Sequence, residues 1–438
     1  MKEITTPTLI DVAQLRIGMF VHLDGGWMSH PFPLSSFKIG SATQIATIRT
    51  LGKQRVRWSP ERSDLDTAAA PGSPPTLQPT AVAPAVAPAA APPAAAPTEM
   101  PEAAKKRQRR EAVVAQRASL LLCEHQFAEA TKACKHATEL VPIKPQEARE
   151  QTEALAQALV DKMIGQQEMC IRLLTEAAGD KASLHALNVT VISLLMGKTF
   201  GLSAAEMVDL GVGSMLHDIG KIELPERVRH REEHFTPAEN QLYQEHVAHG
   251  VTLAKKMGLK SGATLVIAQH HEHADGSGFP LKLNSDRMTT AARIVSLVNR
   301  YDNMCNPHVP SRALTPHEAL SLLFAQGKNR YDTAILGAFI KMMGVYPPGS
   351  VVQLTDDRYA MVVSVNSSRP LKPRVMVHEP RVSRDEALML NLETDPRLGI
   401  RRSLKPQQLP NESLDYLSPR PRVAYFFETE VMAQEIAA

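Results

Sequence analysis

The stretch LHALNVTVISLLMGKTFGLSAAE, residues 184–206, decides the fold. Its apolar side chains recur every three or four residues, which is the spacing of one face of an α-helix. Gly201 stands where that helix should end, and Ser203 with Glu206 has the pattern of a capping box that starts another helix. The stretch therefore predicts two consecutive helices joined by a short turn. The apolar positions are Leu184, Leu187, Val191, Leu194 and Leu195.

The same helix-start signal recurs further along the chain. Thr236 is followed by Glu239, and Thr315 by Glu318, at the spacing of a capping box. In both cases a proline follows the threonine, which suits the first position of a helix. We therefore expect residues 181–346 to form a run of packed helices, and the chain as a whole to belong to the mainly α class.

The segments on either side differ in composition from this helical block. Residues 1–63 alternate short apolar runs with Gly and Pro, which predicts a small β-rich domain. Residues 64–100 are a Pro/Ala-rich linker, which we expect to be extended and sensitive to proteases. Residues 101–180 are charged and rich in Ala, Leu and Glu, and we expect them to be helical. In residues 351–438, VVQL and YAMVVSV flank the turn TDDR and predict a short β-hairpin in a C-terminal extension.

Composition narrows the class of protein. At 438 residues the chain is long enough for two or three domains. Its net charge of +3 gives no indication of a nucleic-acid polymer as a partner. The four cysteines are scattered without a CxxC pair, and the first residues lack the apolar run of a signal peptide, so we expect a cytoplasmic protein. No apolar run reaches the roughly 18 residues that a membrane span needs, so we expect no transmembrane helix.

Five histidines and one aspartate stand out within the helical block. One histidine is followed directly by the aspartate, and two others are adjacent. Imidazole and carboxylate groups together suit Zn, Fe, Ni or Mn, and the lack of a thiolate in the set argues against a structural zinc site. Helical bundles build such sites from inward-facing side chains of several helices. The residues are His185, His217, Asp218, His246, His270 and His271.

Three motifs resemble the signature of the HD-GYP family, a branch of the HD-domain phosphohydrolases. They are HDIGK at 217–221, HHEHADGSGFP at 270–280 and RIVSLVNRYDN at 293–303. The resemblance covers residues 181–350, and the first 60 residues are similar to the small domain of unknown function that often precedes HD-GYP domains. The resemblance implies an HD-type helical bundle. It also implies metal-dependent hydrolysis of cyclic di-GMP to pGpG or GMP in bacterial second-messenger signalling.

The resemblance also implies roles for individual residues. It implies two divalent metal ions, with iron or manganese as the expected elements, and a bridging carboxylate at Asp218. Lys221 would neutralise charge on a substrate phosphate. The glycines of the DGSGFP loop would let the backbone approach the substrate, although they are equally typical of a plain turn. The implied metal ligands are His185, His217, Asp218, His246, His270, His271 and Asn299. The implied catalytic residues are Asp218 and Lys221, and the implied substrate-binding residues are Lys221, Gly276, Gly278, Phe279, Pro280 and Arg312.

Two positions depart from the family pattern. Asn299 stands where the family usually has an aspartate as the last metal ligand. A neutral amide lacks the charge of a carboxylate, so we expect a lower metal affinity, unless Asp302, one helical turn further on, takes its place. Lys181 stands where members with three metals have a glutamate, so we expect at most two metal ions.

These departures leave more than one function open. The first alternative is an active phosphodiesterase. The second is a catalytically degenerate domain that acts as a cyclic di-GMP receptor or a protein-interaction module. A third alternative is hydrolysis of another phosphorylated nucleotide, although the DGSGFP loop favours cyclic di-GMP. Other signalling proteins could bind through the N-terminal domain or the helices of residues 101–180, and a homodimer is compatible with the sequence.

Overall fold

The computed structural model divides into two compact units, residues 1–109 and 110–438. The predicted linker, residues 64–100, lies outside the described residues. Its expected sensitivity to proteases therefore stays a prediction. The residues that the structure describes are 8–23, 36–40, 42–51, 53–63, 102–164, 169–174, 180–230, 235–327, 329–366, 369–395 and 397–429.

The described part of the first unit contains a four-stranded antiparallel sheet. Its strands are β1 (Thr8–Asp11), β2 (Phe20–His22), β3 (Ser36–Lys38) and β4 (Arg55–Ser59), and helix α1 (Ala42–Thr50) precedes the last of them. The strand order is β1-β4-β2-β3. Val21, Ile48 and Val56 are buried in a small apolar core. The prediction of a β-rich N-terminal unit is confirmed.

Helices build most of the second unit. Two long ones, α2 (Glu102–Leu140) and α3 (Pro145–Met163), lie in the segment that was expected to be helical. The others are α4 (Lys181–Thr199), α5 (Ala204–Leu216), α6 (Pro237–Met257), α7 (Ser261–Gln269), α8 (Thr290–Cys305), α9 (Pro316–Gly327), α10 (Thr333–Met343) and α11 (Asn411–Leu417). In the part of the chain that the structure describes, no helix is both long enough and apolar enough to span a bilayer.

Local sequence explains where the central helices begin. Asp180 caps α4 by accepting hydrogen bonds from the amides of Ala182 and Ser183. Helix α4 is buried along most of its length and packs against α5 and α8, which makes it the central helix. The predicted capping boxes are confirmed, with Ser203 and Glu206 at α5, Thr236 and Glu239 at α6, and Thr315 and Glu318 at α9.

A second antiparallel sheet pairs one strand that precedes α4 with strands that follow α10 in the chain. In the described residues its strands are β5 (Met169–Leu173), β6 (Val351–Leu354), β7 (Tyr359–Asn366), β8 (Arg374–Val377), β9 (Met389–Asn391), β10 (Ile400–Leu404) and β11 (Tyr425–Thr429). Their order is β10-β6-β7-β5-β11, and β8 pairs with β7 and β9. The predicted hairpin is confirmed as β6 and β7. The expectation of helix throughout 101–180 is wrong at β5, because this segment pairs with β7 and with β11, which are distant in sequence.

Candidate metal centre

The helices of the second unit bring the histidines and the aspartate of the motifs together. Two groups of side chains form, each with ligand atoms within 4.8 Å of one another, and Asp218 belongs to both. We call His185 and His217 the outer group, and His246, His270 and His271 the inner group. His185 lies on α4, His217 and Asp218 directly follow α5, His246 lies on α6, and His270 and His271 directly follow α7.

The carboxylate of Asp218 lies between the two groups. Its Oδ2 atom is 3.4 Å from Nε2 of His217 and 3.8 Å from Nε2 of His185. Its Oδ1 atom is 3.6 Å from Nε2 of both His246 and His270. Each carboxylate oxygen therefore faces one group of histidines, which is the arrangement that a carboxylate shared by two cations needs.

Two buried polar atoms at the centre have no hydrogen-bond partner among the described residues. They are Oδ1 of Asp218 and Nε2 of His271. A buried polar atom without a partner costs roughly 1–3 kcal/mol, so such atoms are rare unless something else satisfies them. A cation between the two atoms would satisfy both. The nitrogen and oxygen donor set, together with these unpaired atoms, fits divalent metal ions.

Backbone carbonyl groups fix the orientation of three of the imidazole rings. Each of the three rings contacts the carbonyl oxygen three residues earlier through its Nδ1 atom. A carbonyl oxygen can only accept, so Nδ1 carries the proton and Nε2 presents its lone pair to the centre. The pairs are His217 with Ser214 at 2.7 Å, His246 with Tyr243 at 2.5 Å, and His270 with Ile267 at 2.7 Å.

The surroundings also keep several of these rings neutral. Burial lowers the pKa of His217 and His271, and it lowers the pKa of His246 to about 3, although the Asp218 carboxylate opposes the shift in each case. Metal ions bind imidazole only in its neutral form. The fold therefore holds these side chains in the protonation state that a metal ligand requires.

The fourth oriented ring, His185, depends on a residue from another helix. Its Nδ1 atom is 2.6 Å from Oδ2 of Asp302 on α8. The other oxygen of Asp302 accepts hydrogen bonds from the side-chain amides of Asn188 and Asn306, each at 2.9 Å. Both carboxylate oxygens of Asp302 are thus engaged, and their contacts are those of a group that orients His185.

Asn299 lies one turn before Asp302 on α8. It is buried, and it lines the same cavity as the histidines. Its amide oxygen accepts a hydrogen bond from the side chain of Asn303. The amide oxygen is therefore already engaged in an ordinary hydrogen bond within its own helix.

Lys221 lies directly beside the shared carboxylate. Its Nζ atom is 2.6 Å from Oδ2 of Asp218, and it lies 5.4 Å from the centre of the Tyr243 ring. Burial alone would lower the pKa of Lys221, but Asp218 and Tyr243 outweigh burial and hold the pKa above its ordinary value. The lysine therefore remains a cation at the edge of the candidate metal centre.

The DGSGFP loop folds back over the adjacent histidines. Gly276 has a φ of 75°, and its amide donates to the carbonyl of His273 in a tight turn. A Cβ atom on Gly278 would lie 2.5 Å from the backbone of residues 271–273, so only glycine fits there. Phe279 then stacks on the ring of His271, with ring centres 4.5 Å apart, and the exposed Pro280 follows it. The turn explanation accounts for Gly276, whereas Gly278 is needed for a close backbone contact.

A cavity of about 1630 Å³ opens over the metal-ligand cluster. It is larger than the roughly 300–1,000 Å³ of common small-molecule pockets. Its walls carry many cations, of which the sequence motifs indicated only Lys221 and Arg312. The others come from α2, from the start of α4, from α8 and from loops, and the resemblance implies no role for any of them. They are Lys135, Lys181, Arg229, Lys282, Arg300 and Arg330.

The comparison with known families decides the identity of the central domain. Residues 151–335 match the model of the HD domain, and residues 8–158 match a domain of unknown function, DUF3391. Residues 151–335 are therefore similar to the HD domain. The matches confirm the resemblance drawn from the sequence motifs, including the small domain that precedes the helical bundle, and they confirm the mainly α fold.

Named phosphodiesterases are similar to this chain. A cyclic di-GMP phosphodiesterase of Pseudomonas aeruginosa is 26% identical over 377 residues, which cover 84% of each chain. A 3'3'-cGAMP-specific phosphodiesterase of Vibrio cholerae is 30% identical over 129 residues, which cover 29% of this chain and 25% of that one. Among solved structures, an HDGYP protein of Bdellovibrio bacteriovorus aligns with a TM-score of 0.41 at 13% identity, over 76% of this chain and 98% of that chain.

Proposed function

We propose that the chain is a metal-dependent phosphodiesterase that hydrolyses cyclic di-GMP. The observation that carries the proposal is the position of Asp218, whose two oxygens face two separate groups of histidines. The relatives named as cyclic di-GMP and cGAMP phosphodiesterases support a cyclic dinucleotide as the substrate. The size of the cavity and the cations on its walls suit such a bulky dianion.

The metal centre that we propose holds two divalent ions, iron or manganese. The ligands would be the outer group, the inner group and Asp218, with the amide oxygen of Asn299 as a further, weaker donor. Bound divalent ions would supply charge neutralisation for the phosphodiester and a water molecule of lowered pKa. Lys181 is held by His308, with Nζ 2.8 Å from the His308 carbonyl oxygen, and its charge disfavours a third ion nearby.

The other residues of the proposed site bind and orient the substrate. Lys221 offsets the charge of the phosphate that approaches Asp218, a kind of stabilisation that typically contributes about 100- to 1000-fold to rate. Phe279 lines one wall, supported by the tight turn at Gly276 and the close contact at Gly278, and Pro280 follows it in the chain outside the cavity lining. Arg312 lies on the cavity lining, where its guanidinium group can contact a phosphate.

A second candidate function is a cyclic di-GMP receptor without turnover. The observation that favours it is Asn299, which brings no negative charge and whose amide oxygen is engaged by Asn303. With one carboxylate fewer, the outer group would hold its ion less tightly. The receptor would bind cyclic di-GMP in the same cavity and release it unchanged.

The test is incubation of the purified chain with cyclic di-GMP and Mn²⁺ or Fe²⁺, with the products separated by chromatography. We expect pGpG or GMP, a large loss of product in Asp218→Ala, and a smaller loss in Lys221→Ala with the metal content retained. Equal hydrolysis by Asp218→Ala and wild type would place the activity in a contaminant. Binding of cyclic di-GMP without any product would favour the receptor. Parallel incubations with cyclic GMP–AMP and cyclic di-AMP test the alternative of another nucleotide.

Three further expectations remain predictions. They are a cytoplasmic location, binding of other signalling proteins through the N-terminal domain or the helices of residues 101–180, and a homodimer.

A further inference from the structure

Helix α8 presents a polar face to the cavity beside the metal centre. Ser296, Asn299, Arg300 and Asn303 all line the cavity. These residues are three or four positions apart, or adjacent, so they share one side of the helix. Arg300 directly follows Asn299, and its exposed side chain therefore lies next to the candidate metal ligands without being one of them.

A second arginine reaches the same part of the cavity from a loop. The carbonyl oxygen of Arg330 accepts a hydrogen bond of 2.8 Å from the amide of Ala274. The ring of Tyr331 contacts the ring of His273, with ring centres 5.7 Å apart. His273 is only two residues after His271, so these contacts attach the loop of Arg330 to the segment that carries the inner group.

Arg300 and Arg330 meet at one place. Both border a small cleft that adjoins the main cavity, and Tyr331 borders the same cleft. Within the described part of the chain, neither arginine forms a salt bridge. Arg293 on the same helix differs, because its guanidinium group is 2.6 Å from the carboxylate of Asp332. Two cations are therefore exposed together on a cavity wall, and the Asp275 carboxylate interacts with Arg330 through its charge without a direct salt bridge.

We propose that Arg300 and Arg330 together bind the second phosphate of the cyclic dinucleotide, the one that is not cut while the other lies at the metal centre. The inference rests on the proposed function. A cyclic dinucleotide carries two phosphates in one ring, so a protein that holds one at the metals can hold the other only at a separate group of cations. The planar guanidinium group matches phosphate with two parallel hydrogen bonds, which lysine cannot provide.

The surroundings favour a phosphate over a nucleobase at this position. Two neighbouring guanidinium groups repel each other, and a shared anion removes that repulsion. Tyr331 is only 6% exposed, so it offers no open ring face on which a base could stack. The pair therefore recognises what all cyclic dinucleotides share, and base selection must come from other residues.

The experiment compares Arg300→Ala, Arg330→Ala and the double variant with Arg287→Ala. Arg287 is an exposed arginine outside the cavity lining, so its removal causes the same change in net charge. Two substrates are used: cyclic di-GMP, and bis(p-nitrophenyl) phosphate, which has a single phosphate. Equilibrium binding of cyclic di-GMP and of cyclic di-AMP is measured on the same variants, and thermal unfolding verifies that each variant is folded.

We expect each single variant to raise the KM or the Kd for cyclic di-GMP by about 10- to 100-fold, the usual effect of losing a charged hydrogen-bonding partner. The loss on cyclic di-GMP should exceed the loss on bis(p-nitrophenyl) phosphate by about tenfold or more, and Arg300→Lys should recover part of it. Arg287→Ala should behave like wild type.

The outcomes separate this inference from the proposed function. Equal losses on both substrates would overturn the second-phosphate site, because the arginines would then act on the metal centre or on folding. A loss for cyclic di-GMP but not for cyclic di-AMP would also overturn it, in favour of base recognition. Failure of wild type to hydrolyse cyclic di-GMP, combined with arginine-dependent binding, would sink the proposed catalysis and support the inference. If wild type did not bind cyclic di-GMP, both the proposed function and the second-phosphate site would be contradicted.

Discussion

The two halves of the candidate metal centre are built in different ways. In the inner group, His246 and His270 are fully buried and are oriented by carbonyl groups three residues earlier in the chain. In the outer group, His185 is 16% exposed and is oriented by Asp302, which lies 117 residues away in sequence. His246 and His270 of the inner group, and His217 of the outer group, are therefore oriented by local backbone geometry, whereas His185 of the outer group depends on the packing of α4 against α8.

The charge of the two halves differs as well. We assign Asn299 to the side of the outer group in our proposal, because it lies one turn before Asp302, which contacts His185. Only Asp218, which both groups share, supplies a carboxylate to the proposed ligands. We expect the inner group to bind its metal ion tightly and the outer group to bind the second ion more weakly. The difference shows how a single amide can change the occupancy of half a site while leaving the fold intact.

The largest expected effect comes from removal of the shared carboxylate. Asp218→Ala should abolish tight metal binding in both groups and reduce turnover by more than about 1000-fold, because each half loses its only charged ligand. Elemental analysis of anaerobically purified protein and the hydrolysis assay measure the two losses. Asp286→Ala, which removes an exposed acid outside the cavity, is the control. One ion retained at full affinity in Asp218→Ala would mean that the inner group needs no bridge.

The next effect isolates the outer group. Asp302→Asn leaves His185 beside an amide that can present either an oxygen or an NH₂ group, so the ring loses its fixed orientation. Loss of such a supporting group typically costs about 10- to 100-fold in metal affinity. We expect that loss for the second metal ion, with the first unaffected, in a titration followed by calorimetry.

A matched control distinguishes orientation from general destabilisation. Asp332→Asn breaks the salt bridge to Arg293 at a half-buried site away from the histidines. It should lower stability without changing either metal affinity. If Asp302→Asn lowered the affinity for both metal ions equally, the proposed separation of the two groups would be contradicted.

The third prediction restores the charge that the outer group lacks. Asn299→Asp keeps an oxygen that can accept from Asn303, and it adds a negative charge to the outer group. We expect the second metal ion to bind about tenfold more tightly and turnover at limiting metal to rise with it. Asn303→Asp adds the same charge one turn further on, and it should produce little of this effect. If the metal dependence of Asn299→Asp equals that of wild type while Asp302→Ala destroys activity, our assignment of the last ligand is wrong.

The sequence predicts those parts of the site that depend on residues close together in the chain, and most of the inner group is of this kind. His270 and His271 stand in one motif, and the groups that orient His246 and His270 are near neighbours in the chain. The same holds for the capped helix starts at Ser203, Thr236 and Thr315, which depend on a few consecutive residues. Features of this kind are visible in a sequence because cause and effect lie within one helical turn.

The outer group and the cavity walls show the opposite case. Asp302 was considered only as a replacement ligand, since its contact with His185 follows from helix packing and not from spacing. Strand β5 was missed because its partner β11 is at the other end of the chain. Arg330 belongs to no motif, Arg300 has no implied role within the motif RIVSLVNRYDN, and only the fold brings the two arginines together. Long-range contacts of this kind leave no local signal.

The smallest expected effect comes from removal of two helix caps. It tests whether the local geometry of the histidines depends on the stability of their helices. Ser203→Ala removes the cap of α5, whose end positions His217, and Thr236→Ala removes the cap of α6, which carries His246. Each substitution should lower the free energy of unfolding by about 1 kcal/mol and Tm by about 2–4 °C. Thr236→Ser, which keeps a hydroxyl at the cap, should lose much less. Differential scanning calorimetry of the metal-free protein measures these changes.

Metal affinities should remain the same in both cap variants. The lost hydrogen bonds lie at the helix starts, whereas His217 and His246 are oriented by the carbonyl groups of Ser214 and Tyr243, far from the caps. If Ser203→Ala alone lowered the affinity for the second metal ion, the outer group would depend on the whole of α5 and not only on the end of that helix. If Thr236→Ala lowered the affinity for the first metal ion, the inner group would no longer be fixed by its near neighbours alone. The proposed difference between the two groups would then be contradicted.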